Sequence, residues 1–432
     1  MNIKVGTRSS KLALIQIDEI DDLLKTCGCS YAFERVAFES KGDLDKKTPL
    51  SDINQDNVFT DQLDQALLDG VIDIAIHSAK DLPQNLPDGL EILALTQSLD
   101  TTDCLVSHKP LVELGVGAKV GTSSVLRREA LLDLNPSIKP TNIRGTVIER
   151  LEMFKNGEYD AIIVATIALK RLGMDEYITE ILPWEGTALQ GQLAVVGRRG
   201  DYKLRALFTS IDVRPNYGSV YLVGAGPGDP ELITLKGIRA LNEADVVLYD
   251  YLTHKDILKH APKAELVYTG KRKGFHSITQ DKLNLRIKEE ALKGKTVVRL
   301  KCGDPLIFGR GTEEITYLQS YHINVHVIPG VSAATGIASL LGVPLTSRNI
   351  SSSVSFISAH VKNEANEESP IVVPNTDTLV YLMGLTKLQH IITSLLNKGF
   401  SKDKPIVVIS RGSYIDQEVI TGTLNDIYQK VQ

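Results

Sequence analysis

Short apolar runs alternate with amphipathic stretches along most of this chain. GSVYLVGAG, from Gly218, reads as a strand running into a glycine turn, with ELITLKGIRALNEA, from Glu231, as the helix behind it; DVVLYDYL, from Asp245, reads as a buried strand. IKVGTRSSKLALIQIDEIDDLL, from Ile3, and AKVGTSSVLRREALLDL, from Ala118, each give a strand, then Gly-Thr with serines, then an amphipathic helix. Strands alternating with helices predict a parallel α/β architecture. The internal echo predicts two similar lobes facing a shared cleft, because hydroxyls and free amides at a helix N-terminus suit an anion. Plain N-caps explain the same serines equally well. RPNYG interrupts the pattern, and the glycine motifs differ on its two sides. The expected division is therefore 1–213, a linker 214–218, and 219–432.

The densest glycine turn is VGAGPGD, Val223 to Asp229. Gly224 and Gly226 begin a dinucleotide fingerprint, but its third glycine falls on Asp229, and Pro227 removes an amide that a pyrophosphate needs. Two further turns follow apolar strands: RLKCGDPLIFGRG, from Arg299, and VIPGVSAATGIASLLGVPLTSR, from Val327. Three such loops predict one common small-molecule site.

At 432 residues the chain has room for about three domains. A net charge of −5 argues against nucleic acid or an anionic membrane as the main partner. No apolar run reaches the ~18 residues of a membrane span, and MNIKVGTRSSK lacks a signal core, so a cytoplasmic location is expected. Cys27, Cys29, Cys104 and Cys302 are too few and scattered for a disulfide framework and read as reduced thiols. His322 and His326 stand four apart beside INVHVIP, which reads as strand, so no metal site is expected.

The first half concentrates arginines near its serine caps: Arg8 with Ser10, then Thr122, Ser123 and Ser124 with Arg127 and Arg128, then Arg144, Arg150 and Arg171. A guanidinium grips a carboxylate with two parallel bonds, so such a set suits a polycarboxylate. Lys80 and Asp81 follow an apolar strand in DIAIHSAKDLP; they read either as a loop ion pair or as groups facing a positively charged pyrrole intermediate. In this order the motifs resemble hydroxymethylbilane synthase, also called porphobilinogen deaminase, from residue 3 to about 213. The resemblance implies a periplasmic-binding-protein-like region with lobes 1–97 plus 190–213 and 98–189. It implies a catalytic Asp81, and it assigns the acetate and propionate groups of cofactor and growing chain to Arg8, Ser10, Lys80, Thr122, Ser123, Ser124, Arg127, Arg128, Arg144, Arg150 and Arg171. The family's third domain, whose cysteine anchors a dipyrromethane primer, has no counterpart here, and no cysteine lies between Cys104 and Cys302. NQDNVF carries Asp56 where the family has lysine, an extra residue lies in GTSSVLRRE, and Thr146 replaces an asparagine. Three readings follow: a deaminase with a noncovalent primer, a tetrapyrrole-binding module, or a structural relic.

From about 217 to 432 the glycine loops, with TGKRKGFH from Thr269 and YLMGL from Tyr381, resemble the uroporphyrinogen-III C-methyltransferase family. This implies a fold of two lobes, 219–329 and 330–432, and S-adenosylmethionine held by Pro227, Cys302, Gly303, Asp304, Ile307, Ser332, Ala333, Met383 and Gly412. Cys302 stands where the family has glycine. It further implies Asp250 as proton acceptor, Lys271 as donor, Arg310 and the basic run from Lys271 for the substrate's carboxylates, precorrin-2 as product, and a homodimer through this half. Without the resemblance, Asp250 reads as a strand-end carboxylate, Lys271 as a surface lysine and Met383 as core. Beyond TGTLNDIYQKVQ the family adds an apolar strand, so an exposed sheet edge is expected. The nonenzymatic alternative is a tetrapyrrole-binding scaffold.

Overall fold

The computed structural model describes residues 1–26, 28, 30–38, 60–270, 279–360 and 370–432. Its chain divides into two compact units, Met1–Pro215 and Asn216–Gln432, each a mixed α/β body. No helix among the described residues is long and apolar enough to cross a membrane.

The first unit holds two five-stranded sheets. One has β1 (Asn2–Arg8), β2 (Ala32–Phe38), β3 (Ile74–Ser78), β4 (Leu90–Leu95) and β10 (Leu193–Arg198), in the order β2-β1-β3-β10-β4. The other has β5 (Asp103–Ser107), β6 (Lys119–Gly121), β7 (Lys139–Thr141), β8 (Ala161–Ala165) and β9 (Glu180–Ile181), in the order β7-β6-β8-β5-β9. The echoed motifs occupy equivalent strands, β1 and β6, each parallel to both neighbours. The parallel α/β pattern expected from the alternation holds in this unit for β1 and β6 but not for every strand. Return strands β10 and β5 run antiparallel to their neighbours, since the chain crosses into the second sheet after Thr96 and comes back before Leu193. Ile3, Val5, Ile17, Ile20, Ile74 and Phe208 pack the first sheet's core, and Cys104, Ile143, Leu151, Ile162 and Val164 part of the second's.

The second unit begins with an all-parallel sheet of β11 (Val220–Gly224), β12 (Val246–Tyr249), β13 (Glu265–Tyr268), β14 (Val297–Lys301) and β15 (Val325–Ile328), ordered β13-β12-β14-β11-β15. Both faces are covered, as parallel strands require, and β14 is buried throughout. Two pairs follow: β16 (Val354–Ser358) parallel to β17 (Thr378–Leu382), and β18 (Pro405–Ser410) antiparallel to β19 (Glu418–Thr423). Two readings need local correction. The helix expected from Glu231 starts at Leu235 under a Thr234 cap, with Pro230–Leu232 forming a 3₁₀ turn instead. His322 lies in a turn at φ +55°, whereas His326 is in β15 stacked on Tyr221.

Candidate functional sites

In the first unit a cavity of about 770 Å³ opens where β1, β3 and the helix starts after β6 and β7 converge. Arg8, Ser10, Lys80, Asp81, Ser123, Ser124, Arg127, Arg144, Arg150 and Arg171 line it. Thr122 and Arg128 do not. Thr122 is fully buried and accepts the Ser124 amide at 3.3 Å, while Arg128, one helical position past Arg127, points to solvent. The serines serve both readings at once. Ser10 and Ser124 accept the amides of Ala13 and Arg127, each at 3.3 Å, and still face the cavity. Thr146 completes a capping box with Glu149 at a third helix start on the wall.

Burial and cation crowding act together on the side chains here. Burial and then Arg127 push the Lys80 ammonium down to about 8. Burial, Arg127 and Arg144 bring Arg150 down to about 10, and burial with Arg8 beside it lowers His77 to about 4. An anion entering the cavity offsets the repulsion among the cations that line it. Two arginines already have carboxylate partners. Arg127 forks onto Asp103, and Arg171 onto Glu19 at 2.7 and 2.8 Å. Burial raises the Asp103 carboxyl, but the bonds from Arg127, Trp184 and Gln190 outweigh it and hold it below the usual range. Gln190 braces the wall: its Oε1 accepts from Lys80 at 3.0 Å and Arg127 at 3.3 Å, and its Nε2 donates to Thr101, Thr102 and Asp103. Glu19, Asp103 and Gln190 were not legible as site residues, because nothing local marks a helix-face glutamate or a strand-end aspartate as an arginine's partner. Asn54–Phe59 and the Cys27/Cys29 pair lie outside the described residues.

In the second unit every candidate residue that is described follows the carboxyl end of a strand, where ligands bind open parallel sheets. Three glycine loops meet there. A Cβ on Gly224 would stand 2.6 Å from the Gly303 carbonyl and from the Gly330 backbone, so only glycines allow the approach. The Gly303 amide donates to the Gly226 carbonyl at 2.7 Å, tying the first loop to the second. On its other side Gly303, at φ +68°, has nothing closer than 3.7 Å to a Cβ position. Asp304 braces the loops: Oδ1 accepts the Leu306 amide at 2.8 Å and Oδ2 the Gly330 amide at 3.1 Å. Ser332 caps the helix Ala333–Leu340, Pro227 is buried, and Ala333 is half-buried. Ile307 is 37% exposed; Met383 is 56% exposed and at φ +59°, so it is not core. Phe308, Arg310, Arg411 and Ser413 share that left-handed conformation in loops on the same side of the sheets; each such residue costs roughly 1–2 kcal/mol. Gly412 packs on Ile337, Ser413 Oγ accepts the Asp229 amide at 3.0 Å, and Tyr414 donates to the Leu252 carbonyl at 2.6 Å. Cys302 is half-buried, its thiol pushed up to about 11 by burial and then by Asp250.

Asp250 directly follows β12, with its side chain 33% exposed. Its Oδ1 accepts from Arg299 Nη2 at 2.7 Å and Thr269 Oγ1 at 3.1 Å. Arg299, Lys301 and the buried Glu314 behind it were missed from sequence, although two cations spaced i, i+2 in an otherwise apolar strand were a usable signal. Arg310 is exposed and paired with Glu313 at 2.7 Å. Lys271 and the basic run that follows it lie outside the described residues.

Comparison with known proteins agrees with this two-part geometry. Residues 3–206 match the family model described as porphobilinogen deaminase, dipyromethane cofactor binding domain, and residues 219–428 that of tetrapyrrole (corrin/porphyrin) methylases. By class, therefore, a tetrapyrrole methylase follows a deaminase-type domain. The chain is 47% identical over 218 residues to the uroporphyrinogen-III C-methyltransferase of Methanocaldococcus jannaschii, which covers 50% of this chain and 90% of that protein. It belongs to the uroporphyrinogen-III C-methyltransferase family. It is also 43% identical over 255 residues to the siroheme synthase of Pseudomonas fluorescens, covering 57% of this chain but only 54% of that protein. The crystal structure of uroporphyrin-III C-methyltransferase from Thermus thermophilus complexed with S-adenyl homocysteine is 36% identical and covers 50% of this chain and 92% of its own, with a TM-score of 0.43.

Proposed function

We propose that the second unit methylates uroporphyrinogen III at two ring carbons, giving precorrin-2 on the branch toward sirohaem or cobalamin. The observation that carries this reading is the glycine cradle. Gly224, Gly303 and Gly330 leave no room for a side chain among themselves, and Gly303 keeps open space toward Ala333. That shape fits S-adenosylmethionine, which when bound supplies an electrophilic methyl group on a sulfonium sulfur. Pro227, Cys302, Gly303, Asp304, Ile307, Ser332, Ala333, Met383 and Gly412 form its surroundings, with Asp304 bracing the cradle and exposed Met383 offering a soft, polarisable contact. Each methyl that enters as CH₃⁺ obliges one proton to leave the ring system; Asp250 accepts it, Lys271 is the donor, and Arg310 holds a substrate carboxylate. Anaerobic incubation with uroporphyrinogen III and S-adenosylmethionine should add two methyl groups by mass, and Asp250→Asn should abolish the gain. No mass gain from the wild-type chain would refute the reading.

The cavity in the first unit supports a second activity or binding function. We read this unit as periplasmic-binding-protein-like on the repeated strand order of its sheets. Its cavity takes pyrroles bearing acetate and propionate groups, because Arg8, Lys80, Arg127, Arg144, Arg150 and Arg171 line its walls. Porphobilinogen consumption by the full chain, lost in Asp81→Ala, would identify a deaminase whose primer is not covalently held. Saturable binding without consumption would identify a binding module. A cytoplasmic homodimer built through the second unit completes the reading, and sedimentation velocity tests the dimer.

A further inference from the structure

Strand β14 carries Arg299 and Lys301 on one face, each 4% exposed. Glu314, fully buried on the helix Gly311–Gln319, gathers three donors on Oε1: Lys301 Nζ at 2.8 Å, Gln280 Nε2 at 3.2 Å and Arg299 Nε at 3.3 Å. The other end of the Arg299 guanidinium donates to Asp250 Oδ1 at 2.7 Å. Two cations and two carboxylates thus form a neutral chain running from the core to one outlet, the partly exposed Asp250.

Stability gives no reason for this arrangement. Apolar residues of the same volume fill such a space at least as well, because desolvating four charges offsets their mutual attraction. Burial and the neighbouring Arg299 already lower the Lys301 ammonium, with only Glu314 and Asp250 opposing them. What the chain does supply is position. A guanidinium is a rigid fork, so fixing its Nε edge on Glu314 fixes where its Nη2 meets Asp250. Thr269 holds the same oxygen from a second direction at 3.1 Å, whereas Asp250 Oδ2 receives no hydrogen bond from the described residues.

We propose that Lys301, Glu314 and Arg299 are positioning residues that lock Asp250 Oδ1 and so present Oδ2 as the oxygen that accepts the substrate's proton. The proposal rests on the methyltransferase reading of this unit, with Asp250 as acceptor. Glu314 sets the geometry although it never meets substrate.

The test uses the full chain and the double variant Glu314→Gln/Lys301→Met, which removes one charge of each sign and keeps the buried cluster neutral. Its thermal midpoint should stay close to wild type, and its cofactor affinity by calorimetry and its KM for uroporphyrinogen III within about twofold. Its kcat should fall roughly 10- to 100-fold, because the acceptor oxygen is no longer held in register. A folded double variant with wild-type kcat overturns the proposal, as does a loss of kcat that only tracks lost cofactor affinity. If the double variant does not fold, Arg299→Lys keeps the buried positive charge but spans only one carboxylate; kcat should again fall with KM unchanged, and wild-type kcat again overturns it. Asp250→Asn separates the two levels. An inactive Asp250→Asn beside a fully active double variant sinks the positioning chain alone, whereas an active Asp250→Asn removes Asp250's role and this proposal with it.

Discussion

Lys80 makes the anion-binding character of the first unit measurable as a proton. Its ammonium sits in the cavity wall and donates to a glutamine oxygen at 3.0 Å, and burial together with Arg127 holds it at about 8 instead of 10.5. At pH 8.5 a group of that pKa is about one-quarter protonated. A carboxylate arriving within hydrogen-bonding reach favours the charged form and lifts it to about 10, where it is nearly fully protonated at the same pH. Binding of a polycarboxylate should therefore draw about 0.7 proton from solution at pH 8.5 and only about 0.1 at pH 7. Arg150, at about 10, is already charged at both values and adds almost nothing. Calorimetry with benzene-1,3,5-tricarboxylate, whose own groups are fully ionised at either pH, in two buffers of different ionisation enthalpy counts the protons directly. Lys80→Met should abolish the uptake and leave residual binding through the arginines. Binding without uptake at pH 8.5 would refute the claim that burial and the neighbouring Arg127 leave Lys80 largely deprotonated in the free cavity. The same shift has a stability sign. A lysine depressed in the folded state binds fewer protons there than when unfolded, so the free protein should gain stability as pH rises from about 8 toward 10.5.

Gly330→Ala places a methyl group 2.7 Å from the Gly224 Cα, so it should cost about 1–3 kcal/mol and weaken S-adenosylmethionine binding, read by calorimetry alongside the thermal midpoint. Thr146→Ala removes a capping box and should cost about 1 kcal/mol, or roughly 2–4 °C in the first unit's midpoint by scanning calorimetry. Arg310→Ala breaks an exposed ion pair, so it should change stability by less than about 1 kcal/mol while raising KM for uroporphyrinogen III. Glu290, bonded by Lys295 and Lys293 and held down to about 2, contributes stability present above pH 4.5 and lost as pH falls through about 2; acid titration of Glu290→Gln against wild type should show that difference.

The sequence by itself carried the order of a deaminase-type part before a methylase part, the α/β class, the paired strand–GT–helix motifs and the three glycine loops. All rest on local signals, since period, turn chemistry and the positions of glycine are set within a few residues. Even the resemblances that named candidate residues were carried by short contiguous motifs such as RLKCGDP and NIRGT. What the tertiary structure decided was partnership. It turned β5 and β10 antiparallel, because the direction of a return strand depends on which sheet the chain re-enters rather than on its own residues. It separated Arg127 and Arg171, forked onto Asp103 and Glu19, from the solvent-facing Arg128, a distinction no spacing predicts. It joined Arg299, Lys301 and Glu314 behind Asp250, although the first and last of these four are 64 positions apart. Charge energies depend on distance and burial, which the sequence leaves open until packing fixes both.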